Sequence, residues 1–288
     1  MNKNKTYFIT GGGTGGHIYP ALAVYEELLK RNTNLFYIGN KKNLEYGIIR
    51  SKGYNFLDVN VSGMPRKADP KFFLWGVKLF LAILKSCFFI LKYKPDAIFG
   101  TGGYVSAPTV IAGKILKIPY VLHDCDAKPG LVTRHLASSA KSVSLAFEDA
   151  KNYINNKNIF INGNPIRQAF RTLTRTEALK NLNLQDKLTI CIMGGSQGAK
   201  SINNATVKIL EKLSLLNIQV IFQTGKKHFE GVNEELLKLY PDYKSDKNLL
   251  VRPYFEDMIS VLKASDIAVA RSGSLSLSEI CASEVASI

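Results

Sequence analysis

Short, mainly apolar runs alternate along the chain with longer segments whose apolar residues recur at helical spacing. Thr6 to Thr10 is a brief β-prone run. From Pro20, residues Leu22, Ala23, Leu28 and Leu29 fall on one side of a helix, with Glu26 and Glu27 on the other. Continued along the first half, the pattern predicts strands at 5–10, 35–39, 96–99, 119–123, 142–146 and 159–162, and helices at 20–31, 43–52, 72–92 and 106–116. Strands alternating with helices imply an α/β fold with a parallel sheet covered on both faces. The stretch INGNPIR at 161–167 breaks the pattern and reads as a hinge. The pattern then restarts with strands at 188–193, 219–223, 249–253 and 267–270, separated by helices. Two domains follow, 1–163 and 164–288, each opening with a strand, a glycine-rich loop and a helix. Val285–Ile288 resembles the start of another strand, so the second domain is expected to be incomplete and the sequence cut short.

The first glycine-rich loop, GGGTGGH at 11–17, carries the chemistry. Glycine lets a ligand approach the backbone, and the N–H groups at the start of the next helix favour an anion. A phosphate or sugar phosphate is the natural guest. Gly11, Gly13 and Gly16 also fit the dinucleotide fingerprint G-x-G-x-x-G. That motif needs an acidic residue at the end of the second strand, but here Asn40, Lys41 and Lys42 follow it and the first acid is Glu45. A nicotinamide or flavin cofactor is therefore disfavoured.

The segment 71–94 is the most apolar in the chain. Its Leu, Ile, Phe and Val residues contribute about −4 to −8 kcal/mol towards membrane insertion, and Lys78 and Lys85 cost about +5 to +7 kcal/mol. Crossing is marginal on these terms, and it would divide the strands of one sheet between two sides of a membrane. Lys71, Lys78, Lys85 and Lys92 are spaced by heptads and form one stripe on a helix. With one face on the sheet, apolar surface is left beside a cationic edge, which suits a helix lying in an anionic membrane interface. The alternative is a core helix with one solvated edge.

The net charge of +15 in 288 residues agrees with an anionic partner. The lysines are dispersed and no nucleic-acid-binding motif appears, so no nucleic acid partner is expected. Four scattered cysteines form no C-x-x-C and fit reduced thiols.

Five segments occur in order: GGGTGGHIYPALAV, FGTGGYVSAPTVIAG, GNPIR, MGGSQGA and ARSGSLSLSE. Together they closely resemble the MurG family of bacterial N-acetylglucosaminyltransferases. The resemblance implies the GT-B fold, two Rossmann-like domains facing a cleft. It also implies UDP-N-acetylglucosamine as donor and an undecaprenyl-pyrophosphate-linked muramoyl pentapeptide as acceptor. The expected location is peripheral, on the cytoplasmic face of the cell membrane, in peptidoglycan synthesis and hence in cell shape and division. No cofactor or metal is expected.

Carried onto this chain, the resemblance implies His17 as general base, since an imidazole titrates near neutral pH. A role for His17 in orienting substrate is the alternative, and Asp124 is a second catalytic candidate. Gly13, Gly102, Gly103 and Tyr104 would receive the acceptor pyrophosphate. Thr14, Gly15, Gly16, Asp126, Arg167, Ser196, Gln197, Phe255, Arg271, Ser274, Leu275, Ser276, Leu277, Ser278 and Glu279 would serve the donor, with Glu279 on the ribose and Phe255 at the uracil. Lys71, Phe72, Phe73, Trp75, Lys78, Phe80, Lys85 and Lys92 would meet the membrane. The family's His-Glu-Gln-Asn is His123, Asp124, Cys125, Asp126 here; Asp124 shortens a carboxylate, and Asp126 brings one near the donor phosphates. This D-x-D pattern also resembles a metal motif, although two carboxylates alone make a weak magnesium site. Another GT-B enzyme, such as a UDP-N-acetylglucosamine 2-epimerase, and an inactive UDP-sugar-binding fragment are the rival readings.

Overall fold

The computed structural model describes residues 4–65, 70–195 and 197–288, with the side chains of Pro70 and Lys71 excepted. The chain forms two compact units, Met1–Arg167 and Gln168–Ile288. In the first unit, β1 (Thr6–Thr10), α1 (Gly15–Leu29), β2 (Asn34–Gly39), α2 (Leu44–Ser51), β3 (Phe56–Asp58) and α3 (Pro70–Tyr93) follow in turn. Then come β4 (Ala97–Gly100), α4 (Gly103–Ile115), β5 (Tyr120–Asp124), α5 (Leu131–Leu136), β6 (Ser142–Leu145) and β7 (Ile159–Ile161), with two 3-10 turns near β6. The second unit contains α6 (Ala169–Thr172), α7 (Arg175–Leu182), β8 (Thr189–Met193), α8 (Lys200–Leu215), β9 (Gln219–Gln223) and α9 (Phe229–Leu239). It ends with β10 (Leu249–Arg252), α10 (Met258–Lys263), β11 (Ile267–Ala270), α11 (Ser274–Ala282) and β12 (Ala286–Ser287).

Both sheets are parallel and share one winding. The first has the order β3-β2-β1-β4-β5-β6-β7 and the second β10-β9-β8-β11-β12. Each opening strand pairs with a strand on either side, β1 with β2 and β4, and β8 with β9 and β11. The chain therefore reverses its direction of winding beside β1 and beside β8, and a crevice opens there at the carboxyl ends of the strands. Apolar side chains fill both faces of the first sheet. Phe8, Ile98, Leu122 and Val143 belong to one cluster, and Ile9, Leu22, Tyr25 and Tyr37 to another.

Two helices begin earlier than their apolar periodicity implies. The first starts at Gly15 rather than Pro20, and the fourth at Gly103 rather than Ser106. Both hold an internal proline, Pro20 and Pro108, and Pro20 reads locally as a helix start. Here each proline only withholds one N–H from the turn before it. As a result His17 and Tyr104 lie in first helical turns rather than in loops. The structure adds β3, α5 and α7, which the periodicity did not reveal. Helix α7 carries a complete capping box between Thr174 and Glu177, a local signal legible in TRTE. The division after Arg167 places Asn164–Arg167 with the first unit, whereas the sequence puts them in the second domain. Their contacts are the reason: Asn164 meets the His123 ring, and the Arg167 guanidinium lies 4.5 Å from the Tyr19 ring centre.

Helix α3 packs on α4 and buries Ala82, Ser86 and Ile90. Phe73, Leu74, Val77, Phe80, Leu81, Leu84, Phe88 and Leu91 face outward. From Phe72 to Tyr93 it is long and apolar enough to span a membrane, with a mean hydropathy of 1.9. Topology decides against a crossing, because β2 and β3 before it and β4 after it share one sheet.

Candidate functional site

The loops after β1 and β4 meet at the switch point of the first sheet. The Thr101 hydroxyl donates to the His17 carbonyl at 2.6 Å, and His17 Nδ1 lies 2.9 Å from the Thr101 carbonyl. A carbonyl only accepts, so Nδ1 carries a proton, and in the neutral ring Nε2 is then the nitrogen with the free lone pair. The ring lies against Gly103, where an added Cβ would come within 2.9 Å of His17 Cδ2 and 2.6 Å of the Gly12 carbonyl oxygen. Only glycine allows this approach. Helix α1 starts without a side-chain cap on Thr14, and α4 starts without one on Gly102. The first-turn N–H groups of two helices thus flank the histidine, a setting suited to an anion.

Several neighbours were not singled out by the sequence. The Thr133 hydroxyl is buried with no hydrogen-bond partner among the described residues, 3.8 Å from the place of a Gly102 Cβ. His123 is fully buried, with Nε2 at 3.2 Å from Asn164 Oδ1 and Nδ1 at 3.2 Å from Ser144 Oγ. A neutral ring satisfies both contacts, donating to Asn164 and accepting from Ser144. Burial pushes the His123 pKa down.

Asp124 is buried, and its two oxygens accept the N–H groups of Asp126 at 3.2 Å and Gly130 at 3.0 Å. It organises the loop after β5, while Asp126 is exposed. The possible ligand atoms of Asp124, Cys125 and Asp126 lie within 4.8 Å of one another. Burial first, then the charges of Asp126 and Asp124, push the Cys125 thiol up to about 12. The Asp124 carboxylate already accepts two backbone N–H groups, which leaves it little capacity for a metal. Tyr104 stands at the glycine loop, its ring 3.0 Å from the place of a Gly13 Cβ and its hydroxyl accepting from Asn43 at 3.0 Å.

In the second unit, the loop after β8 crosses the end of β9. Buried Gln223 holds it, donating to the Gly195 carbonyl at 3.2 Å and accepting the Phe255 N–H at 2.9 Å. Gln223 therefore fastens the two loops expected to hold donor phosphate and uracil. Gln197 is exposed, and Ser196 lies outside the described residues, as does the Lys71 side chain. Phe255 itself is buried, with its ring 5.5 Å from the Arg252 guanidinium. Arg271 is exposed just before α11. In α11, Leu275 and Glu279 share the buried face, Leu277 is exposed, and Ser274, Ser276 and Ser278 are half-buried.

On α3, Lys78 is exposed, Lys85 pairs with Asp58 at 3.4 Å, and Lys92 lies 5.2 Å from the Tyr93 ring centre. Phe72, Phe73, Gly76, Val77 and Phe80 line an apolar hollow. Trp75 donates to the Ser62 carbonyl at 3.0 Å.

Two Rossmann-like units, each with a glycine loop at its switch point, define a glycosyltransferase of the GT-B class. Residues 7–145 match the Glycosyltransferase family 28 N-terminal domain and residues 189–288 the Glycosyltransferase family 28 C-terminal domain; the chain belongs to this family. It is 35% identical over 285 residues to the UDP-N-acetylglucosamine--N-acetylmuramyl-(pentapeptide) pyrophosphoryl-undecaprenol N-acetylglucosamine transferase of Natranaerobius thermophilus, covering 97% of this chain and 77% of the relative. The crystal structure of MurG from Acinetobacter baumannii superposes with a TM-score of 0.67 at 24% identity, covering 98% of this chain and 78% of that one. A UDP-GlcNAc 2-epimerase from Methanocaldococcus jannaschii gives a TM-score of 0.65 at 16% identity, covering 98% and 82%. That likeness is one of fold alone.

Proposed function

We propose that this glycosyltransferase moves N-acetylglucosamine from UDP-N-acetylglucosamine to the 4-hydroxyl of the undecaprenyl-pyrophosphoryl N-acetylmuramoyl pentapeptide. The observation that carries the mechanism is the His17 tautomer, with Nδ1–H held by the Thr101 carbonyl and Nε2 left as acceptor. The acceptor oxygen attacks the anomeric carbon and its proton passes to Nε2. The bond from the anomeric carbon to phosphate breaks, its electrons leave on UDP, and the configuration inverts. No metal takes part in these steps. The uncapped starts of α1 and α4 place N–H groups beside that base. They support the assignment of Gly102, Gly103 and Tyr104 to the acceptor pyrophosphate, and of Thr14, Gly15 and Gly16 to the donor, whereas the Gly13 N–H, expected at the pyrophosphate, is taken by Glu45 Oε2. Glu279, Gln197 and the loops pinned by Gln223 serve the UDP moiety in the second unit.

The outward face of α3 supports a peripheral position on the cytoplasmic face of the cell membrane, where a lipid-linked acceptor is found. Peptidoglycan synthesis at that site links the enzyme to cell shape and division. The test is transfer of labelled sugar to a lipid-linked acceptor, with product analysis. His17→Ala should slow the chemical step by ~10²–10⁴ and leave UDP affinity nearly intact. A loss below tenfold makes His17 an orienting residue. Release of UDP with the 2-epimer of the sugar, and no transfer, would replace this reading with that of an epimerase.

A further inference from the structure

Beneath the first glycine loop lies Glu45, fully buried in the first turn of α2. Its Oε2 accepts the Gly13 N–H at 3.2 Å, while Oε1 accepts the Asn40 N–H at 3.1 Å and Asn43 Nδ2 at 3.3 Å. The carboxyl sits so close to Gly12 that a Cβ there would stand 2.7 Å from its Cδ and Oε1. Gly39 clears the Glu45 Cγ in the same way, at 2.9 Å. Gly12 and Gly39 thus make room for one side chain. Asn43 steadies this carboxyl and also donates to Tyr104, whose ring covers the far side of Gly13. The Gly13 N–H is therefore turned towards Glu45, and the loop presents its next residues, Thr14 to His17, as the first turn of α1.

We infer that Glu45 is a positioning residue for the transfer: by taking the Gly13 N–H it sets the direction in which the glycine loop delivers His17 and the first-turn N–H groups. It touches no substrate. The inference rests on the function proposed above. A reacting group displaced by about 1 Å loses on the order of 10²-fold in rate. In Glu45→Gln an amide NH2 replaces one acceptor oxygen, so either the Gly13 or the Asn40 N–H faces another donor.

The experiment compares full-length wild type, Glu45→Gln and Glu45→Asp in steady-state transfer, UDP calorimetry and amide hydrogen exchange, with the folded fraction measured by circular dichroism. The expected result is a kcat lowered by roughly 10–100-fold, with UDP affinity and the KM for UDP-N-acetylglucosamine within about twofold of wild type. Exchange should quicken in residues 10–17 and stay unchanged in the second unit. Gly12→Ala should also lower kcat, because its methyl collides with the carboxyl. A folded Glu45→Gln with kcat within twofold of wild type overturns the inference, as does a loss that only tracks the unfolded fraction. If Glu45→Gln does not fold, Glu45→Asp decides by the same criteria, since its shorter reach cannot keep both backbone contacts. If wild type transfers no sugar, the proposed function fails on its own. Exchange in residues 10–17 then decides the positioning role, and an unchanged rate there overturns it.

Discussion

Asp58→Asn should make the protein bind anionic membranes more tightly. Asp58 stands 3.4 Å from Lys85 and offsets one charge of the lysine stripe on α3. Its other oxygen accepts the Lys41 N–H at 2.9 Å, a contact the amide oxygen of asparagine preserves. The substitution therefore releases one positive charge at little cost to the fold. A lysine near an anionic surface contributes about 1 kcal/mol, so partitioning onto anionic vesicles at low salt should tighten roughly fivefold. Neutral vesicles should show no change, and salt should erase the gain, since the screening length is about 10 Å at 0.1 M. The apolar contribution is separable. Phe73 and Phe80 are 74% and 59% exposed. Burying a phenylalanine fully stabilises by about 1.5–3 kcal/mol, so these two exposed portions amount to about 2–4 kcal/mol. Replacing both with serine should weaken binding to anionic and neutral vesicles alike, by about 30-fold or more. Sedimentation of labelled vesicles reads both effects. Asp58→Asn binding that is unchanged, or tightened equally on neutral vesicles, would refute the electrostatic reasoning. Wild type left in the supernatant with both vesicle types would refute membrane docking by this face.

Glu279→Ala should weaken UDP binding by about 1–3 kcal/mol, the range for a charged hydrogen bond; unchanged calorimetric affinity in folded protein counts against its ribose role. Gln223→Leu strands the Phe255 N–H and leaves the Gly195 carbonyl with the Gly198 N–H, so it should cost about 1–3 kcal/mol in urea unfolding and weaken UDP binding. A stability change below about 0.5 kcal/mol would show that the two loops hold themselves. His123 has its pKa lowered from 6.5 by burial, so the unfolded chain takes up its proton first as pH falls. Its contribution is complete above about pH 6.5 and shrinks below it until the folded-state pKa is reached. His123→Gln should flatten that limb of the stability–pH curve, and an identical slope in both proteins would reject the assignment.

The sequence alone determined what depends on spacing along one element. The alternation of apolar runs implied two parallel-sheet units, and the heptad lysines placed a charged edge on one long helix, because periodicity survives whatever the helix packs against. The ordered motifs placed the family and pointed to His17. Local patterns misled where one residue type serves two ends. Pro20 resembles a helix start but lies inside α1, and α4 begins at Gly103 rather than Ser106, because the preceding glycines join each helix. Only the folded chain explains the individual glycines. Gly12 is required by Glu45 and Gly103 by His17, partners separated by 33 and 86 residues that parallel strand order brings together. Glu45 counted in the sequence only as an acid too late for a dinucleotide site, yet in the structure it reaches back to the end of β2 and to the loop itself. The tautomer of His17 and the bridge through Gln223 depend on carbonyl and amide groups that every residue carries. No residue code marks them, and the winding of the two sheets alone decides which of them meet.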